Sequence, residues 1–170
     1  MSIVICPLSL IQDMVDQRRP SHMITLLDPD HVIPTPRGLE PDRHLRLGVH
    51  DIVDETEGLV RADESLVADL VAFGAGWDER APILIHCWAG ISRSTASAFV
   101  LACERNPDAD ETLIAAEIRK RSATATPNRR IVTLADDLLG RRGRMVDAVD
   151  KIGRGVRAYE GLPFELPSRW

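Results

Sequence analysis

Cysteine is scarce in this chain. Cys6, Cys87 and Cys103 are too few, and odd in number, to staple a fold with disulfides. No Cys-x-x-Cys pair occurs, and His22, His31, His44 and His50 are scattered without helical ligand spacing. That argues against zinc or another resident metal. No apolar run approaches the ~20 residues a membrane-crossing helix needs. The opening "MSIVICPLSLIQDMVDQRRP" has no basic stretch ahead of its short apolar run, so a secretory signal is not expected. The sequence therefore predicts a cytoplasmic chain without membrane association. Positive charge is not in excess: the formal net charge is −5. This speaks against a nucleic-acid partner, which needs a basic face. Aromatic residues make up 4%, and neither the single tyrosine (Tyr159) nor any of the three phenylalanines lies in the early loops.

What remains is an ordinary globular composition, 44% apolar and 28% charged over 170 residues. It predicts one domain over 1–170 with a core that needs no cross-links. "SIVIC" (2–6) reads as a strand ended by Pro7. "LSLIQDMVDQRR" (8–19) places Leu10, Ile11, Met14 and Val15 at helical spacing before Pro20. "HMITLLD" (22–28) and "RHLRLGV" (43–49) read as strands, separated by a loop (29–42) with four prolines and a glycine. "RADESLVADLVAFGAG" (61–76) is an amphipathic helix. "APILIHC" has no polar alternation, as in a strand covered on both faces.

Helices follow over 94–105 and 107–123, the second acidic at its start and basic at its end. A third opens with Thr126 as the expected N-cap, Pro127 at its first position and Asn128 as part of the capping arrangement. A fourth lies beyond a break at Gly140 and Gly143. From about 156 the Pro-rich tail is expected to be extended or loose. The order predicts an α/β fold, a central, mostly parallel sheet of four to five strands flanked by helices.

The chemistry concentrates in "ILIHCWAGISRS" (83–94). A strand, a tight loop and a buried helix form an anion site, because free N–H groups at the helix start point into the loop and the dipole favours negative charge. Trp88, Ala89, Gly90, Ile91, Ser92 and Arg93 can supply a ring of backbone donors, with Gly90 allowing close approach. Arg93 adds a planar fork matched to two phosphate oxygens. The same field favours the thiolate of Cys87, a nucleophile placed beneath a cradled phosphorus. The Ser94 hydroxyl can hold that thiolate and help it leave, and His86 would orient the loop backbone from below. A lone cysteine after a strand is more often a small buried hydrophobe. The full pattern His-Cys-x-x-Gly-x-x-Arg-Ser, however, is expected in roughly one chain of this length in 10⁵ from average residue frequencies.

"HCWAGISRS" resembles the signature loop of cysteine-dependent protein phosphatases, and its mid-chain position resembles the dual-specificity branch. Low-molecular-weight tyrosine phosphatases carry the loop near the N-terminus and do not fit. The resemblance is specific over 82–100 and extends, in the order of elements, from about 22 to 140. It implies a dual-specificity phosphatase-like fold, a phosphocysteine intermediate, no cofactor, and a phosphorylated protein or small phosphomonoester as substrate. It also implies a general acid on a loop after an earlier strand. Asp51, 36 residues before Cys87, matches that position best; Asp54 is the rival and Glu55 a third candidate. Cys103 could pair with Cys87 in a redox role, but a core thiol is the expectation, as for Cys6. Trp88 is expected to pack in the floor region.

Other readings are a phosphoinositide or RNA 5′-phosphate phosphatase of the same fold, a rhodanese-like sulfur transferase, and a phosphate-binding pseudophosphatase acting as an interaction module. The bland "WAGIS" lacks the distinctive loop residues of the first two. The short loop 29–42 predicts a shallow pocket, open to phosphotyrosine and, more weakly, phosphoserine and phosphothreonine. Oligomeric state leaves no mark in the sequence.

Overall fold

The computed structural model describes residues Met1–Trp170. Strand β1 (Ser2–Pro7) leads through a 3₁₀ turn into helix α1 (Ile11–Arg18) and strand β2 (His22–Leu27). Strand β3 (His44–Gly48), helix α2 (Glu64–Gly76) and strand β4 (Ile83–Cys87) follow. Helices α3 (Arg93–Arg105), α4 (Glu111–Arg121), α5 (Arg129–Leu138) and α6 (Arg144–Ile152) precede strand β5 (Phe164–Pro167). The strands form one sheet in the order β3-β2-β4-β1-β5, with the first four parallel and β5 antiparallel on β1.

Both faces of the sheet are covered, which explains why β1, β2 and β4 read as unbroken apolar runs. Ile3, Ile5, Ile24, Ile83 and Ile85 face the large core shared with α2 to α6. Val4, Cys6, Met23 and Leu84 face a smaller core built on Ile11, Met14 and Val15 of α1. Helix α3 runs through the large core, with every residue from Arg93 to Cys103 buried. Its small side chains admit close neighbours. A Cβ on Gly74 of α2 would lie 2.2 Å from Leu101 Cδ2, so α2 and α3 meet at a glycine. No helix is long and apolar enough to cross a membrane.

Two expectations shift. Helices α2 and α4 begin later than the pattern suggests, because Asp63 and Asp110 take the N-cap positions and accept from Leu66 N and Thr112 N at 2.8 Å each. The cap of α5 is Asn128 rather than Thr126. Asn128 Oδ1 accepts from Arg130 N (3.0 Å) and Ile131 N (3.1 Å), while the Thr126 hydroxyl is engaged by Gly155 N at 3.0 Å. Of the two readings of the tail, the extended one describes residues 164–167, which form a strand. Leu166 and Phe164 sit opposite Ile3 and Ile5. Beyond the strand, Asn106 Nδ2 donates to Ser168 O at 2.9 Å, and Ser168 N donates to Met1 O at 3.0 Å.

Parallel strands end on the same edge of the sheet. Asp28 follows β2, Val49 follows β3 and Cys87 ends β4, so three strand ends meet where α3 begins. Leu166 is fully buried, and its truncation tests whether the tail belongs to this core. Leu166→Ala should lower unfolding free energy by about 2–5 kcal/mol in urea titrations. A loss below ~0.5 kcal/mol, the size of a surface change, would detach the tail from the core.

Candidate active site

Five outward-held carbonyls shape the loop after β4. Trp88 O accepts from Leu8 N (3.0 Å), Ala89 O from Gly161 N (2.8 Å), Ile91 O from Thr126 N (2.9 Å) and Ser92 O from Asn128 N (3.3 Å). The Cys87 carbonyl lies 3.3 Å from His86 Nδ1. The amide N–H groups of residues 88–92 have no backbone acceptor. A short loop with its carbonyls turned out and its N–H groups free is an anion nest at a helix N-terminus. Gly90 makes the turn possible. Its φ is +68°, and a Cβ there would lie 2.8 Å from both Cys6 C and Pro7 N of the neighbouring strand.

Cys87 Sγ and Ser94 Oγ lie 3.2 Å apart. Arg93 is buried. Its Nη1 donates to Asp28 Oδ1 (2.9 Å) and to Val49 O (2.6 Å). Its Nε is buried with no protein partner. Asp51 is exposed and stands at the loop, its Oδ1 accepting from Ser92 Oγ (2.7 Å) and Asn128 Nδ2 (2.8 Å). Neither rival acid touches the loop. Asp54 makes no side-chain hydrogen bond, and Glu55 lies 3.8 Å from Arg61 Nη2 on the surface. Trp88 is at the rim rather than the floor, 38% exposed, with its ring centroid 4.4 Å from that of His31. Outward-held loop carbonyls send this side chain away from the nest.

Beneath the loop His86 is fully buried. Its Nε2 lies 2.6 Å from Thr25 Oγ1, which lies 2.7 Å from His44 Nε2. Burial is the main cause that holds both imidazoles down at about 4, with the Cys87 carbonyl opposing it for His86 and the Arg46 charge adding to it for His44. Burial pushes the other two thiols up, Cys6 to about 12 and Cys103 well above its ordinary value. Both sit as protonated groups in the cores. No three His, Cys, Asp or Glu side chains converge as metal ligands would. A groove of about 550 Å³ opens beside the loop, with Asp51, Ser92, Thr126, Asn128 and the Arg129–Asp150 ion pair among its walls.

Sequence reasoning missed Asp28, Thr25 and His44, and read Asn128 only as a cap. Asp28 had a usable signal, since it follows a parallel strand at the edge where such sheets bind ligands. Thr25 and His44 had none. Their contact depends on the register that sets Thr25 opposite His86 and Met23 opposite His44.

No family model matches the sequence, and no curated protein matches it. Solved structures do match in fold. Human DUSP28 is 14% identical with a TM-score of 0.54, covering 84% of this chain and 88% of that one. DUSP15 is 16% identical with a TM-score of 0.53, covering 86% and 89%. At these identities the likeness is one of fold, and the fold is that of the dual-specificity phosphatases.

The buried histidines give a pH signature. Their folded values, about 4, lie below the unfolded 6.5. Between these limits the unfolded chain binds protons that the folded chain refuses, so stability falls as pH drops from about 6.5 to about 4 and is flat just above 7. Each ring contributes at most about 3 kcal/mol by this linkage. Urea unfolding at pH 7.0 and 4.5 should show the loss, and His44→Gln, which cannot titrate, should show less of it. Equal pH dependence in wild type and His44→Gln would place the His44 ring in solvent.

Proposed function

We propose, from the fold of the dual-specificity phosphatases and the loop it carries here, that this chain is a cysteine-dependent phosphomonoester hydrolase. Its substrates are phosphotyrosine and, more slowly, phosphoserine and phosphothreonine in proteins. The observation that carries the reading is the run of amide N–H groups at residues 88–92 without backbone acceptors, bounded by the Cys87 thiol with Ser94 Oγ at 3.2 Å and by the buried Arg93, whose Nε has no protein partner. A phosphate dianion supplies the acceptors that all of these donors lack.

The roles follow from position. Equatorial phosphate oxygens accept from the loop amides and Arg93, leaving phosphorus above Cys87 Sγ. The thiolate attacks in line as the P–O bond to the substrate breaks. Asp51, at the mouth of the loop, gives its proton to the departing oxygen. Ser92 and Asn128 both bind Oδ1 and leave Oδ2 without a protein partner for this transfer. The phosphocysteine then meets water, Asp51 takes a proton from it, the S–P bond breaks, and the Ser94 hydroxyl stabilises the leaving thiolate. These steps use the chain's own side chains. The same convergence sets an enzyme above a phosphate-binding pseudophosphatase, since binding alone has no use for Asp51 or Ser94.

An aryl phosphate assay tests this directly. Cys87→Ser should abolish turnover while keeping inorganic phosphate bound, and Arg93→Lys should lose both, because an ammonium cannot reproduce the two-pronged geometry. Asp51→Asn should slow poor leaving groups about 10²–10⁴-fold and flatten the alkaline limb of the pH–rate profile. Ser94→Ala should show a burst of product followed by slow turnover. On matched peptides, phosphotyrosine should be hydrolysed faster than phosphothreonine, with both measurable. Hydrolysis by Cys87→Ser above buffer would overturn the assignment of the nucleophile, and an inactive wild type that binds phosphate would leave an interaction module.

A further inference from the structure

A chain of five hydrogen bonds crosses the sheet from its exposed edge to the loop. Arg46 Nη2 donates to Thr35 Oγ1 at 2.8 Å. Thr35 Oγ1 lies 3.0 Å from His44 Nδ1, His44 Nε2 lies 2.7 Å from Thr25 Oγ1, and Thr25 Oγ1 lies 2.6 Å from His86 Nε2. His86 Nδ1 closes the chain at 3.3 Å from the Cys87 carbonyl. Thr25, His44 and His86 are all buried.

The inner end fixes the direction of every bond. A carbonyl can only accept, so His86 Nδ1 carries the hydrogen. His86 is neutral, so its Nε2 accepts, and the Thr25 hydroxyl must donate to it. That hydroxyl has a single hydrogen, so toward His44 it accepts, and His44 Nε2 carries the hydrogen. His44 Nδ1 then accepts from the Thr35 hydroxyl, whose oxygen takes a hydrogen from Arg46. A guanidinium can only donate, and a hydroxyl oxygen has two lone pairs, so the outer end accepts the polarity that the inner end sets. Aligned bonds of this kind strengthen one another in a low-dielectric interior.

The polarity has a consequence at the loop. With the hydrogen on Nε2 instead, His86 would turn an Nδ1 lone pair toward the Cys87 carbonyl oxygen. The two would repel, and the peptide that presents the first amide of the nest would lose its anchor. We infer that His44 and Thr25 are positioning residues that select the tautomer of His86 and thereby fix the Cys87 peptide in the orientation the anion nest requires. The tautomer selection stands on the hydrogen bonds alone; its use in catalysis rests on the phosphatase reading above.

Histidine-selective ¹⁵N NMR on the full chain reads the tautomer, and iodoacetamide alkylation at pH 6 reads Cys87, neither of which needs turnover. Wild-type His86 should carry its hydrogen on Nδ1. Thr25→Val, which keeps the shape and removes the hydroxyl, should abolish that preference and slow alkylation of Cys87 about tenfold, the scale of one net hydrogen bond. Thr25→Ser should restore both. At the outer link His44→Leu should act as Thr25→Val does, and His44→Gln, which keeps a donor toward Thr25, should act as wild type. This second pair carries the test if Thr25→Val does not fold. An unchanged His86 tautomer in a folded Thr25→Val or His44→Leu protein overturns the inference. A tautomer shift that leaves alkylation unchanged overturns its positioning role. Inactivity of the wild type toward phosphoesters would instead count against the phosphatase reading and leave both readouts interpretable.

Discussion

Arg93 is buried at the junction of three strand ends, with Nη1 held by Asp28 and by the Val49 carbonyl and with Nε left without a protein partner. A charged donor withheld from water and not paired costs about 1–3 kcal/mol or more. The fold sustains that cost because the guanidinium is over-determined elsewhere. Its backbone opens α3, a helix buried along nearly its whole length, so the side chain cannot retreat to solvent. Asp28 and the Val49 carbonyl fix the orientation of the planar group through Nη1. In the function proposed above, an anion in the nest would supply acceptors for Nε and the loop amides together.

The surrounding structure serves to hold that loop open. Its carbonyls are tied outward by the start of the 3₁₀ turn after β1, by the segment before α5 and by Gly161 in the tail. The tail is therefore part of the cradle as well as of the sheet. Its strand β5 brings 161 back to the loop by pairing with β1, the same strand whose end packs against Gly90. From below, the hydrogen-bonded histidines hold the Cys87 carbonyl. Fold and site share one set of constraints here, and most of the loop's carbonyls are tied to other elements.

Much of this could be read from residues alone, for identifiable reasons. β4 is apolar on both faces because the sheet is covered on both, and that pattern needs no tertiary information. The loop declares itself because five chemically unusual residue types fall within nine positions. The resemblance points to Asp51, and what sets its carboxylate against the loop is the hydroxyl of Ser92 and the amide of Asn128, contacts that span the chain. The strand in the tail was hidden by its prolines and its length of four residues. Asn128 and Thr126 are both good caps by propensity, and only the competing claim of Gly155 on the Thr126 hydroxyl separates them. The link between Thr25 and His44 exists only through strand register, which single-sequence periodicity does not carry.

The most direct measurement follows the Arg93 Nε–H signal and the backbone amides of residues 88–92 by ¹⁵N–¹H NMR while orthovanadate, a phosphate mimic, is added. The account predicts that these signals shift together and saturate with one affinity, with Arg93 Nε–H moving most and the side-chain signals of surface arginines such as Arg37 and Arg80 unmoved. Saturation confined to surface arginines, or a titration in which Arg93 Nε–H stays fixed, would contradict it.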